Sequence, residues 1–148
     1  MTGVLGEATV RELEIGLAGS VAGPWDPDYE TARYVWNHAI DKRPALIVRA
    51  ATTEDVVRAV GFARSEGRAI AVRGGAHSVA GFSTCDDGII IDLAQLNEVQ
   101  VDVESRRAFA GGGTTWKTFD AATQQHGLAT TGGLVSSTGI GGFTLGGG

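Results

Sequence analysis

An α+β fold is predicted from three features of the chain. The first is a strand-helix-strand unit. "ALIVRA" (Ala45–Ala50) is an apolar run of strand type, a helix opens at "TTED", and "AIAVR" (Ala69–Arg73) closes a βαβ unit of about thirty residues. Two parallel strands with a right-handed crossover are expected there. The second is a series of three further strand-like runs, "GIIIDL", "EVQVDV" and "RRAFAGG", which imply a second, mixed or antiparallel sheet. The third is glycine: 23 of 148 residues, thickening after Arg73. With no period of three and only three prolines, collagen-like and low-complexity readings fail. Glycine here marks backbone that bends at positive φ or comes close to a ligand.

The flanking elements follow in order. Val10, Leu13 and Leu17 have helical spacing within Thr9–Leu17, and "GPWDPDYE" then breaks the pattern. A helix is expected over Tyr29–Ile40, ending ahead of Pro44. In "TTED", Thr52 and Asp55 form a capping box. Val56, Val60 and Ala63 share one face of the helix it opens, and Gly67 stops it. The polar stretch Asp102–Arg106 reads as a hairpin turn. A last helix runs from about Trp116 to His126, capped by Thr115 and closed by Gly127. "LATTGGLVSSTGIGGFTLGGG" has too few large side chains to form its own core and must lie against another surface.

This length suits one domain with a real core. It divides into a helical lead-in (1–40) and the main unit (41–148). A formal charge of -5 argues against nucleic acid or an anionic membrane as partner, since no net positive field is available. A single cysteine, Cys85, excludes an internal disulfide, and His38, His77 and His126 lack ligand spacing, so no metal site is expected. The N-terminus has neither a basic n-region nor an apolar h-region, which reads as cytoplasmic.

Two glycine-rich loops, Gly74–Gly81 and Gly132–Gly148, point to a ligand that backbone approaches at two places, with consecutive N–H groups holding phosphate oxygens. The standard nucleotide signatures fail. Gly139 and Gly141 would need a glycine where Thr144 stands, and no G-K-[ST] triplet occurs.

Four blocks in order, "RGGAHSVAG" with "GIIIDLAQLNEV", "RAFAGGGTTW", "GLATTGG" and "STGIGGFTLGGG", resemble the FAD-linked oxidases of the vanillyl-alcohol oxidase and p-cresol methylhydroxylase (PCMH) type. Within these, the chain is most similar to the berberine-bridge-enzyme-like and 6-hydroxynicotine-oxidase-like branch. The resemblance runs from Trp36 to Gly148 and implies the N-terminal part of a PCMH-type FAD-binding domain. It implies that Gly74, Gly75, Ala76, His77, Ser78 and Gly81 wrap the FAD pyrophosphate. His77 would bond covalently to the 8α-methyl of the isoalloxazine, through a neutral imidazole nitrogen as nucleophile; such attachment raises the reduction potential and retains the cofactor. Thr131, Gly132, Ser136, Ser137, Gly139, Gly142 and Phe143 would run along the pyrophosphate, ribityl chain and flavin edge.

Some relatives carry a second covalent bond from a loop cysteine. Val135 stands at that place here, and Cys85 lies too far upstream, so single attachment through His77 is implied. Ala76 replaces a third glycine common in the family, at a bend where alanine tolerates positive φ poorly. Phe143 stands where plant members commonly have histidine, which removes a polar contact to the ribityl chain.

Arg73 is read evenly as a pyrophosphate counter-charge or as an ordinary strand-end residue. Trp36, Trp116 and Phe119 read as core from their helical spacing. His126 reads as a helix C-terminal residue, His38 as surface or packing, and Cys85 as a small buried or loop residue.

The family's substrate domain and catalytic base follow beyond the glycine triplet, so the catalytic residues are unassigned and this chain alone is expected to be incomplete for turnover. The implied reaction passes hydride from a small organic substrate to FAD, with O2 reoxidising the flavin. A catalytically silent flavin-binding remnant and a non-covalent relative in which His77 only hydrogen-bonds remain open alternatives.

Overall fold

The computed structural model describes residues 5–146. Met1–Val4 of the N-terminal stretch and the last two glycines of the closing triplet, Gly147 and Gly148, lie outside the described residues. The elements are α1 (Glu7–Ile15), β1 (Ser20–Ala22), α2 (Tyr29–Ala32), β2 (Leu46–Arg49), α3 (Thr53–Ser65), β3 (Ile70–Arg73), β4 (Ile89–Asp92), β5 (Val99–Asp102), β6 (Arg107–Ala110), α4 (Trp116–Gln124) and α5 (Ile140–Gly146).

The fold class is α+β, as the sequence predicts. One sheet has the order β1-β2-β4-β3, and a two-stranded antiparallel sheet joins β5 to β6. The strands of the βαβ unit are parallel, but β4 lies between them and pairs parallel with both. β1 adds an antiparallel edge to β2, so the first sheet is the mixed one.

Alternation along the central strands builds two cores. Leu46, Val48, Ile89 and Ile91 face Val10 and Leu13 of α1 and Ala59 and Ala63 of α3. Ile47 and Ile90 face the other way, toward Ala22, Tyr29 and Ala71. Burial on both faces explains why β2 and β4 read as unbroken apolar runs, whereas the edge strand β3 alternates, with Ile70 and Val72 exposed. The lead-in packs into both cores through Leu5, Val10, Leu13, Ala22 and Tyr29. No helix among the described residues is long and apolar enough to cross a membrane.

The helix expected over Tyr29–Ile40 stops at Ala32. Beyond it the chain is held by the first glycine loop: Trp36 N–H donates to the Ala76 carbonyl at 3.0 Å and Asn37 Nδ2 to that of Val79 at 2.8 Å. The Asn37 side chain also accepts from Ala39 N–H, a local turn that competes with helix.

Thr52 and Asp55 form the expected capping box at α3, and Gly67 follows the helix at φ +61°. Asp55 is buried and also takes N–H bonds from Ala18, Gly19 and Ala51 at 2.8–3.0 Å. Burial opposes ionisation of this carboxyl, but its backbone donors outweigh that cost and hold it below the ordinary carboxylate range. Asp55→Ala is therefore expected to cost about 2–4 kcal/mol at pH 7, measured by urea unfolding, because several amides lose their acceptor at once. Because the folded pKa is lowered, the contribution is complete above the unfolded value of about 3.9 and disappears as pH falls through the folded one. The wild-type and variant curves should accordingly converge in acid.

Candidate functional site

The three parallel strands end on a row of charge. Arg49, Asp92 and Arg73 are register partners at the carboxyl ends of β2, β4 and β3. Arg73 is buried, pairs with Asp92 at 2.7 Å and donates to the Ala32 carbonyl at 2.7 Å. Its charge is thus already balanced. Arg49 pairs with Asp28, and this hydrogen bond holds the exposed Asp28 carboxyl below its usual value.

A cleft of about 460 Å³ opens over these strand ends, where open parallel sheets place their ligands. Arg73, Gly74, Gly75, Ala76 and Ser137, all expected from the sequence, line it. Arg49, Asp92, Asn97, Thr115 and Thr118 line it too and were missed. A signal for two of them was present, since the apolar runs of β2 and β4 each close on a charged residue.

The two glycine loops cross at Gly75 and Gly139. A Cβ on Gly75 would lie 2.4 Å from Gly139 N, and one on Gly139 would lie 2.5 Å from Gly75 N. Neither position has room for a methyl group, so the absence of a side chain is what lets the backbones touch. The crossing brings His77 to Ser137, with Nε2 to Oγ at 3.2 Å. Backbone N–H groups of five consecutive residues, Gly74 to Ser78, have no protein acceptor among the described residues. These donors at a strand's carboxyl end suit an anionic, phosphate-bearing group.

The other expected site residues lie away from the cleft wall. Ser78 accepts from Gly81 N–H and Phe82 N–H, forming the turn in which Gly81 has φ +74°. The Ser136 carbonyl accepts from Lys117 N–H, while Thr131 and Gly142 are exposed. Phe143 stands edge-on to Trp116 at 5.2 Å, and Gly132 packs so closely on the same indole that a Cβ would meet it at 2.4 Å. Trp116 and Phe119 form the expected packed pair, at 5.8 Å.

Trp36 departs from expectation. It is 61% exposed and stacks on the His77 ring at 5.5 Å with an interplanar angle of 21°. The helical spacing placed it in the core, but α2 ends before it and the bond to Ala76 turns it toward the loop. His38 is exposed and stacks on Tyr34, and exposed His126 lies just past α4. Cys85 packs against the second core, where burial pushes its thiol pKa up.

Ala76 adopts φ +57°, the left-handed conformation that favours glycine. Ala76→Gly relieves that strain but loosens the unfolded chain, so a net gain of about 0.5–1 kcal/mol in urea unfolding is expected.

A family model described as an FAD binding domain matches residues 44–148. The chain belongs to this family. The resemblance carried by the four glycine blocks holds at that level. This FAD binding domain is 32% identical to (R)-6-hydroxynicotine oxidase of Paenarthrobacter nicotinovorans, over 90% of its own length and 29% of that protein's. It is 43% identical to the FAD-linked oxidoreductase hasG of Aspergillus fumigatus, over 76% of this chain and 24% of the relative. Among solved structures, 6-hydroxy-D-nicotine oxidase from Arthrobacter nicotinovorans superposes with a TM-score of 0.82 at 31% identity, covering 84% of this chain and 27% of that one. The moss Physcomitrella patens BBE-like 1 shares the fold, with a TM-score of 0.86 at 24% identity over 92% of this chain and 30% of that one. The chain thus spans less than a third of the length of these relatives.

Proposed function

We propose that this chain is the cofactor-holding part of an FAD-dependent oxidase in which His77 bonds covalently to the flavin. When bound, FAD accepts hydride from a small organic substrate and returns the electrons to O2. The oxidase reading draws on 6-hydroxynicotine oxidase, which resembles this chain at 32% identity in sequence and at 31% in its solved structure.

The observation that carries the proposal is the run of amides from Gly74 to Ser78 that have no protein acceptor among the described residues, a run that includes His77 itself. With Arg73 neutralised by Asp92, pyrophosphate recognition falls to backbone dipoles rather than to a free cation. Ser137 adds a hydroxyl at the same cleft. His77 is the candidate anchor: Val135 stands at the place where, by the resemblance, some relatives carry a second attachment cysteine, and Cys85 has a thiol pushed away from its nucleophilic form by burial.

The test is to produce the protein with FAD, precipitate it in acid and record flavin absorbance in pellet and supernatant. Retention in the pellet is expected. Complete release from a folded holoprotein rules out the covalent bond and leaves a non-covalent relative.

A further inference from the structure

We infer that Ser137 and Trp36 are positioning residues for His77, holding its ring plane and fixing the proton on Nε2. This rests on the reading of His77 as the attachment residue.

Three segments far apart in sequence meet on one imidazole. Ser137 Oγ lies 3.2 Å from Nε2, and Trp36 stacks on the ring face. Both partners sit on anchored backbone. Trp36 N–H is bonded to the Ala76 carbonyl and the Asn37 side chain to that of Val79, so this segment grips the loop on either side of His77. On the other side, Lys117 N–H and Trp116 N–H at the start of α4 bond the carbonyls of Ser136 and Thr138, which bracket Ser137.

The chemistry requires such a hold. A neutral imidazole carries one N–H, and the hydrogen bond made by one nitrogen decides the state of the other. His χ2 is broad and roughly two-fold, so an unheld ring interchanges its two nitrogens. With Nε2 occupied by Ser137, only Nδ1 is open to form a bond, and it must then carry the lone pair; the new N–C bond would replace one C–H bond of the flavin 8α-methyl and, in the end, the Nε2–H bond, with the two electrons passing through the flavin to O2. Nε2–H donating to Ser137 Oγ leaves the lone pair on Nδ1. The Trp36 stack opposes the ring flip that would undo it. Both side chains are exposed, so their replacement should leave the fold largely unchanged.

The experiment compares wild type, Ser137→Ala, Ser137→Thr and Trp36→Leu in the protein prepared without flavin. Proton–nitrogen NMR of labelled histidine reads the His77 tautomer, and acid-stable flavin is followed over time after FAD is added. One Nε2–H tautomer is expected in wild type. Ser137→Ala should give a tautomer mixture and attach flavin about 3- to 10-fold more slowly, the range set by one hydrogen bond. Ser137→Thr should restore both readouts. Trp36→Leu should slow attachment while leaving Nε2 protonated.

An unchanged tautomer and unchanged attachment rate in Ser137→Ala overturn the inference. If wild type attaches no flavin, the attachment reading fails by itself, and the NMR arm still decides whether Ser137 and Trp36 hold the ring.

Discussion

Replacing His77 with alanine is expected to abolish acid-stable flavin while leaving the fold intact. Wild type should hold close to one covalent flavin per chain, and the variant none that resists acid. His77 is only half buried and makes a single side-chain hydrogen bond among the described residues, so the change in stability should be small, within about 1 kcal/mol. Loosely held FAD should remain, because the amides from Gly74 to Ser78 belong to the main chain and survive the substitution. The measurement is flavin absorbance on the acid-washed protein, with urea unfolding alongside it. Covalent flavin persisting in the variant would move the anchor to another residue.

The second large effect lies at the crossing of the glycine loops. Gly75→Ala and Gly139→Ala each place a methyl group about 2.4–2.5 Å from the opposing main-chain nitrogen, a distance that backbone must move to relieve. Each is expected to cost about 1–3 kcal/mol, as overpacking does, and to lower acid-stable flavin about 10-fold or more by drawing His77 away from the cleft. The pair provides its own control. Once one methyl has parted the loops the second meets less resistance, so the double variant should lose clearly less than the sum of the singles. Gly61→Ala, in open space midway along α3, should instead gain about 0.5–1 kcal/mol. Additive losses at Gly75 and Gly139 would mean that the two contacts act independently.

Much of the fold was legible because local chemistry and global packing agree. The Thr52–Asp55 box, the apolar runs of β2 and β4, and Gly67 and Gly127 beyond their helices all carry signals a few residues long. What escaped the reading depends on distant partners. β1 is three residues without a pattern of its own, and it exists because β2 offers an edge. The placing of β4 between β2 and β3 is a packing outcome that no local run encodes. The truncation of α2 at Ala32 follows from bonds to Ala76 and Val79, roughly forty residues along the chain. α5 is a glycine-rich helix that propensity alone disfavours.

The site divides in the same way. The first glycine loop, His77 and Ser137 were named from the sequence, whereas the cleft also needs Arg49 and Asp92 from separate strands, and the meeting of Ser137 with His77 depends on a glycine crossing that no local run encodes. Trp36 shows how periodicity misleads once a helix ends early: its spacing fits a core residue, but its ring lies on the imidazole. Gly132 and Phe143 drew notice as cofactor contacts, and in the fold both pack on Trp116.

The central claim is that a single imidazole in the first glycine loop anchors the flavin. Trypsin releases that loop in one peptide, Gly74 to Arg106, which contains His77 and Cys85 together. Fragment-ion mass spectrometry of this peptide from acid-washed holoprotein should place the flavin mass on His77. Flavin on Cys85, on any other peptide, or on none would contradict it.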